Sequence, residues 1–238
     1  MVIALLTAAG VGHRVGQSVP KQFLSVNDKP LIIYTMECFQ NNSEVDYIAV
    51  VCLSGWESML SSYARQYGIS KLRWIFPGGE TGMESIRNAV YGLRKDIADD
   101  DIILVQDGIR VNTSNEIISD CIRVTKEKGN AIPAIPIAEA PFYSEDHKSS
   151  TRTYDRSKLL RSQTPHGIYY GKLYDLHKRA EEMNITNSVA TCTLLVELGE
   201  TIYFSKGSSL NFKITDMDDV ALFKALLMSK KLSWEKRN

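Results

Sequence analysis

Short apolar runs recur along the first half of the chain, and the segments between them carry helix signals. The runs occupy residues 2–6, 47–53, 72–76, 102–105 and 131–137. Continuous runs of this length are typical of strands buried on both faces. Helices are predicted at about 31–39, 56–67, 84–93, 112–128 (with Thr113 or Ser114 as N-cap) and 216–231. Strands and helices that alternate at intervals of about 20 to 30 residues predict an α/β fold with a parallel sheet.

The loops after the strands are where a site is expected, because ligands in such sheets bind outside the carboxyl ends of the strands. Three segments rich in glycine or polar residues follow predicted strands: the stretch after residue 6, Gly78-Gly79, and Gln106-Asp107. The topology therefore predicts that all three lie along one edge of the sheet.

The stretch after the first strand has small or absent side chains at Ala8, Ala9, Gly10, Gly12 and Gly16. Backbone N–H groups in such a loop can approach an anion closely, because no large side chain stands in the way. The same stretch supplies two cations, Arg14 and Lys21. These features predict a phosphate site; the alternative is an ordinary tight turn with two solvated cations.

The spacing of the loop argues against two common nucleotide motifs. A dinucleotide fingerprint requires G-x-G-x-x-G, but Val15 stands where the third glycine should be. The pattern G-x-x-x-x-G-K-[ST] does not occur in the chain. A nicotinamide oxidoreductase is therefore disfavoured, and what is left is a long, open loop ending in Pro20-Lys21-Gln22.

The alternation of strands and helices stops at about residues 139–164. A polar, turn-like tip at 144–148 lies there between two short extended pieces. This pattern predicts a projecting β-arm rather than a linker.

The string TAAGVGHRVGQSVPKQF resembles the opening of the cytidylyltransferases that activate polyol phosphates. These include the 2-C-methyl-D-erythritol 4-phosphate enzymes of isoprenoid biosynthesis and the ribitol-5-phosphate enzymes of cell-wall and capsule synthesis. The resemblance extends over nearly the whole chain. It implies a single Rossmann-like nucleotidyltransferase domain over residues 1–238, with a mostly parallel sheet and a β-arm at about 138–163 that clasps a second subunit in a homodimer. It also implies an Mg²⁺-dependent transfer of CMP from CTP to a polyol phosphate, which gives a CDP-polyol and pyrophosphate.

The resemblance further implies roles for individual residues. Both reactants are anions, so cations are needed to bring them together. The implied catalytic residues are Arg14, Lys21, Arg156 and Lys213, with Lys213 expected on a late strand. The implied CTP contacts are Ala8, Ala9, Gly10, Gly12, Gly78, Gly79, Ser85, Asp107 and Gly108, and Asp107 is the implied Mg²⁺ ligand. The implied acceptor contacts are Arg110, Thr164 and Thr186.

Two of these residues have simpler interpretations. Asp107 before Gly108 is also a common turn pair. Arg156 could be an ordinary surface charge, and only its interval to Thr164-Pro165 supports the functional interpretation.

The chain departs from the family pattern mainly on the acceptor side. Gln106 stands in place of a His, Gly82 in place of an Arg, and Leu210 in place of an acid, while Asn187-Ser188 replaces an acidic pair. We therefore expect CTP as donor with an acceptor that need not be methylerythritol phosphate. Trp56 and the string VPKQFLSVNDKPLIIYT look nearer the ribitol-5-phosphate members. The alternative is a nucleotide-binding homologue with lost or altered acceptor activity.

Composition narrows the partners. The 28 basic and 28 acidic residues balance, so charge favours neither nucleic acid nor a membrane surface. No secretory signal and no apolar run near the roughly 18 residues of a membrane span is seen, so a cytoplasmic location is expected. The four cysteines form no C-x-x-C pair, which predicts reduced thiols. His13, His166 and His177 form no catalytic dyad pattern, so we expect packing or surface roles.

Overall fold

The computed structural model describes residues 1–10 and 19–235, with side chains through residue 229. Gly12, His13, Arg14 and Gly16, which the sequence places in the phosphate loop, lie outside the described residues.

The five predicted strands and five predicted helices are all present. The strands are β1 (Val2–Ala8), β4 (Tyr47–Cys52), β5 (Leu72–Pro77), β6 (Ile102–Asp107) and β7 (Asn130–Pro136). The helices are α1 (Leu31–Gln40), α2 (Glu57–Gln66), α3 (Gly82–Gly92), α4 (Asn115–Lys128) and α7 (Met217–Glu235). Ser114 is the N-cap residue of α4, although its side chain makes no capping hydrogen bond.

Further elements were not predicted. Two short strands, β2 (Ser25–Val26) and β3 (Lys29–Pro30), form a small hairpin before α1. After the arm come β11 (His166–Tyr169), α5 (Tyr170–Glu182), α6 (Thr191–Glu197) and β12 (Phe204–Lys206). In the described part of the chain, no helix is both long and apolar enough to cross a membrane.

The central sheet is mixed but mostly parallel. With β10 (Leu160–Ser162) at one edge, its strand order is β10-β7-β11-β6-β1-β4-β5, and β12 pairs with β7 off this path. Strands β6, β1, β4 and β5 are parallel neighbours, whereas β11 runs antiparallel between β6 and β7. Opposite faces of β1 are buried in different layers: Ala4 and Leu6 pack towards α1, α2 and α4, and Ile3 and Leu5 pack towards α3, α5 and α6.

The register of the parallel strands brings the predicted loops together. Thr7 pairs with Asp107, Ala8 with Cys52, and Cys52 with Pro77. The glycine loop, Gly78-Gly79 and the end of β6 therefore leave the sheet at the same edge, as predicted.

Lys213 is not on a strand, and this prediction was wrong. The last strand is β12, and residues 212–215 have no regular secondary structure. The alternation of polar and apolar residues has another cause. Ile214 is fully buried against Leu31, Val111 and Phe223, while Lys213 points to the site. The segment copies the periodicity of a strand, but only Ile214 N donates a backbone hydrogen bond to the neighbouring Ile109, at 3.0 Å.

The segment predicted to be an arm contains a small ribbon. Strands β8 (Phe142–Tyr143) and β9 (Arg152–Thr153) are antiparallel, and the polar tip lies between them. Asp146 organises the tip, because its Oδ1 accepts hydrogen bonds from the backbone N–H groups of Lys148 and Ser149 at 2.9 Å each. Almost every residue from 137 to 162 is partly or fully exposed.

Candidate active site

A cavity of about 650 Å³ opens at the carboxyl edge of the sheet. Its lining includes nine residues from the site that the sequence predicts, namely Ala8, Ala9, Gly10, Lys21, Gly79, Ser85, Asp107, Thr164 and Lys213. The strands β1, β4, β5 and β6 thus deliver their loops to one recess, as the rule for open α/β sheets requires.

Three charges form a cluster at the end of β6. Asp107 Oδ2 accepts a hydrogen bond from Arg110 Nε at 3.0 Å, and Oδ1 accepts one from Lys213 Nζ at 2.9 Å. Asp107 and Arg110 are mostly buried, whereas the side chain of Lys213 is 43% exposed. The Lys213 ammonium is therefore the member of the cluster that faces the solvent side of the cavity.

The protonation state of Asp107 follows from these contacts. Burial by itself raises the pKa of a carboxyl group, but Lys213 and Arg110 outweigh it and hold the pKa of Asp107 below its ordinary value. Asp107 is therefore ionised at neutral pH, and the cluster carries one net positive charge.

Lys21 begins a single 3-10 turn, Lys21–Phe23, and is one of the residues that line the cavity. Lys21 Nζ donates to the main-chain oxygen of Thr215 at 3.4 Å, two residues after Lys213. Lys21 therefore contacts the same short segment that contains Lys213, although the two predicted catalytic lysines are far apart in sequence.

Gln22 holds the first part of the glycine loop. Its buried Nε2 donates to the main-chain oxygens of Ala8 at 2.7 Å and Gly10 at 3.1 Å. These two bonds fix where the loop leaves β1. Gln22 was not among the predicted site residues, although its place directly after Lys21 in the family-like string could have indicated it.

Gly79 and Ser85 line the cavity at the start of α3, and Gly78 directly precedes Gly79. Gly79 N donates to Ser85 Oγ at 3.0 Å, so the first turns of α3 hold the glycine turn in place. Gly78 has no room for a side chain, because an added Cβ would collide with Ala9 Cβ. The glycine is required here because the two loops touch.

Gly108 and Thr164 shape the backbone around Asp107. A Cβ on Gly108 would come 2.7 Å from the carbonyl oxygen of Thr7. Thr164 Oγ1 accepts a hydrogen bond from Asp107 N at 3.1 Å, and a cis peptide bond joins Thr164 to Pro165.

Five predicted residues in the described part of the chain are not part of the cavity lining. Gly78, Gly108 and Arg110 adjoin lining residues, whereas Arg156 and Thr186 lie apart from the cavity. Arg156 is exposed on the arm, where its Nη1 donates to the carbonyl oxygen of Ala138 at 2.6 Å. Thr186 is exposed, although the residues just after it, 188–191, line the cavity.

The inner wall contains polar groups that were not among the predicted site residues. Gln106, His166, His177 and Thr191 all line the cavity and are buried. Each has a buried side-chain atom that makes no hydrogen bond within the described residues: Gln106 Oε1, His166 Nδ1, both ring nitrogens of His177, and Thr191 Oγ1. Burial lowers the pKa of both histidines to about 4, so both rings are neutral at pH 7. His166 and His177 are therefore buried and neutral, and both lie at the wall of the cavity.

Asp107 is the candidate metal ligand of the cavity. Among the described residues, no three His, Cys, Asp or Glu side chains come together as a ready-made metal site. Asp107 is a single ionised carboxylate at the wall of the cavity. Mg²⁺ commonly binds through one or two carboxylates together with substrate phosphates and water, so Asp107 fits as one such ligand.

The fold and the recess at its carboxyl edge are those of a nucleotidyltransferase. Residues 2–229 match the family model for 2-C-methyl-D-erythritol 4-phosphate cytidylyltransferase (IspD), and the chain belongs to this family.

Individual relatives agree with this assignment. The chain is 42% identical over 234 residues to a ribitol-5-phosphate cytidylyltransferase of Lacticaseibacillus paracasei, covering 98% of this chain and 100% of the relative. It is 34% identical to a ribitol-5-phosphate cytidylyltransferase of Vibrio parahaemolyticus, covering 95% and 96%. A crystal structure of 4-diphosphocytidyl-2C-methyl-D-erythritol synthase superposes with a TM-score of 0.79 at 24% identity, covering 95% of this chain and 98% of the other.

Proposed function

We propose that this protein transfers CMP from CTP to ribitol 5-phosphate, giving CDP-ribitol and pyrophosphate. The observation that carries the proposal is the cluster of Asp107, Arg110 and Lys213 in the same recess as Lys21 and Gly10. Two anions can meet only where positive charge is concentrated, and this recess concentrates it. The names of the relatives at 42% and 34% identity favour ribitol 5-phosphate over methylerythritol phosphate.

In the proposed reaction, a phosphate oxygen of the acceptor attacks the α-phosphorus of CTP. A new P–O bond forms as the bond to the β-phosphate oxygen breaks, and pyrophosphate leaves with the electron pair. Lys21 and the loop N–H groups bind the triphosphate, together with Arg14. Lys213 orients the acceptor phosphate beside Asp107. The protein contributes mainly position and charge neutralisation, as is usual in phosphoryl transfer.

Asp107 is the residue that would hold Mg²⁺. The ion would supply charge neutralisation on the triphosphate. Arg110 Nε donates a hydrogen bond of 3.0 Å to Asp107 Oδ2, which keeps the carboxylate oriented. Because CTP and sugar phosphates are cytoplasmic metabolites, the proposed substrates place the enzyme in the cytoplasm.

The test is direct. The purified protein is incubated with CTP, MgCl₂ and either ribitol 5-phosphate or methylerythritol 4-phosphate, and pyrophosphate release is measured. We expect release that depends on the acceptor and is faster with ribitol 5-phosphate. A preference for methylerythritol phosphate would overturn the acceptor assignment. If neither acceptor gives pyrophosphate release, the proposed transferase activity is wrong.

A nucleotide-binding homologue with lost or altered acceptor activity is the second candidate. It is motivated by Leu210, which is 51% exposed where the family commonly has an acid, and by exposed Asn187. Calorimetry separates the two candidates, because CTP binding without turnover on any polyol phosphate would favour the homologue.

We further propose that the protein is a homodimer and that the arm of each subunit completes the site of the other. Two observations support this. The arm exposes large apolar side chains, including Phe142 at 66% and Leu160 at 43%. Arg156, which resembles a catalytic residue of the family, lies outside the cavity of its own chain.

Co-expression of two inactive variants tests this arrangement. If Arg156 acts in the partner's site, a heterodimer of Arg156→Ala and Lys21→Ala subunits has one intact site, and we expect restored activity. The pair Lys21→Ala with Lys213→Ala is the control, since both residues act in their own subunit and no intact site can form. If confirmed heterodimers of both pairs are inactive, the arm does not act in the partner's site.

A further inference from the structure

Lys213 is held at Asp107 by a part of the chain that has little regular structure of its own. No strand or helix includes residues 212–215, yet the ammonium of Lys213 lies 2.9 Å from an oxygen of Asp107. A flexible lysine on an irregular segment gains such a position only if neighbouring residues fix its backbone.

The residue that anchors this segment is Asn211, whose side chain is completely buried. Its Nδ2 donates to the carbonyl oxygen of Thr164 at 2.9 Å, and its Oδ1 accepts from Thr113 Oγ1 at 3.0 Å. The same residue thus ties the segment both to the turn after the arm and to the loop after β6.

The main chain of Asn211 reaches the charged cluster itself. Its carbonyl oxygen accepts from Arg110 Nη1 at 2.8 Å and from Gln163 Nε2 at 3.1 Å. Arg110 in turn donates to Asp107, and Thr164 Oγ1 accepts from Asp107 N. Asn211 therefore contacts residues that hold Asp107 on two sides, while Lys213 follows two positions later.

We propose that Asn211 is a positioning residue that sets Lys213 against Asp107 before substrate binds. The proposal rests on the proposed transfer reaction for its kinetic consequence. Position 211 needs an amide side chain, because its nitrogen donates to the Thr164 carbonyl oxygen while its oxygen accepts from the Thr113 hydroxyl. Aspartate would place a carboxylate oxygen against the Thr164 carbonyl oxygen, and leucine would leave both partners without a bond.

A double-mutant cycle tests whether Asn211 acts through Lys213. The variants are Asn211→Ala, Lys213→Ala and the double variant, each assayed for kcat/KM with the acceptor varied. We expect Asn211→Ala to lower kcat/KM on the order of 10²-fold, because small displacements of a positioning group have effects of this size. In the Lys213→Ala background the same change should add about twofold or less. Losses that multiply would overturn the proposal, since the two residues would then act independently.

Asn130 provides a matched control. It is also a buried asparagine that joins two segments, donating to the Thr201 carbonyl oxygen at 2.9 Å and accepting from Tyr203 N at 3.0 Å. It lies at the amino-terminal end of β7, whereas the site lies at the carboxyl ends of the strands. Asn130→Ala should lower the melting temperature as Asn211→Ala does, with kcat/KM changed by about twofold or less. An equal loss of activity in both variants would indicate a general structural effect.

A milder variant keeps the test open if Asn211→Ala does not fold. Thr113→Val removes the hydroxyl that donates to Asn211 Oδ1, and Thr125→Val removes a buried hydroxyl inside α4 as its control. Only Thr113→Val should lower kcat/KM for the acceptor, and this loss should also vanish in the Lys213→Ala background.

A crystal structure of the Asn211→Ala or Thr113→Val protein without substrates gives a measurement that does not depend on activity. We expect the distance between Lys213 Nζ and Asp107 to exceed hydrogen-bonding range in the variant. An unchanged contact would overturn the positioning role. If the unaltered protein transfers no CMP at all, the proposed function fails, but this distance still decides the inference about Asn211.

Discussion

At the residue scale, the proposed site contains cations that the fold brings together from distant positions. Lys21 and Lys213 both line the cavity, and Asp107 pairs directly with the second of them. The sequence predicted these residue types and their chemistry. It could not show that Lys213 forms an ion pair with Asp107, because that contact joins positions 106 residues apart.

Lys21→Met should lower kcat/KM by about 10²–10³-fold, the usual effect of losing one group that stabilises developing charge. The substitution keeps most of the aliphatic stem, so the melting temperature should hardly change. Pyrophosphate release measures the rate, and Lys128→Met, on the exposed end of α4, is the control. Full activity of Lys21→Met would remove Lys21 from the catalytic set.

At the element scale, the loops after β1 and β5 are in contact, and Gly78 lies where they touch. An added Cβ at Gly78 would meet Ala9 Cβ, whereas one at Gly82, the first residue of α3, would meet nothing within 4 Å. The sequence analysis named Gly78 as an implied CTP contact and Gly82 as a departure from the family pattern, but it did not show which of the two has room for a side chain. Only the packing of one loop on the other separates a required glycine from a replaceable one.

Gly78→Ala should therefore destabilise the protein by about 1–3 kcal/mol, as overpacking usually does, and weaken CTP binding by displacing Ala9. Gly82→Ala should leave CTP binding intact and be neutral or slightly stabilising. Urea unfolding and CTP calorimetry on both variants check this. Similar behaviour of the two alanine variants would contradict the contact between the loops.

At the scale of the whole molecule, the buried histidines link stability to pH. The ring of His177 makes no hydrogen bond within the described residues, and burial lowers its pKa to about 4. The unfolded chain, with an ordinary pKa near 6.5, binds this proton more readily between pH 6.5 and 4. The free energy of unfolding must therefore fall as the pH drops through this range.

His177→Leu should remove about 2 kcal/mol of the difference in unfolding free energy between pH 7 and pH 5. Urea denaturation at the two pH values measures it. His147→Leu, at the exposed tip of the arm, is the control and should leave the difference unchanged. A His177→Leu protein that loses as much stability on acidification as the unaltered chain would show that the ring is protonated in the folded state.

The sequence by itself determined the α/β class, the five main strands and the edge of the sheet where the site lies, because apolar periodicity and loop chemistry are local properties. It also carried the family resemblance through the string that contains Pro20-Lys21-Gln22. Only the tertiary structure decided the insertion of antiparallel β11, the irregular course of the Lys213 segment and the anchoring of that segment by Asn211. These features depend on contacts between residues far apart in the chain, and no local pattern encodes which distant partner a buried amide or a lysine will meet.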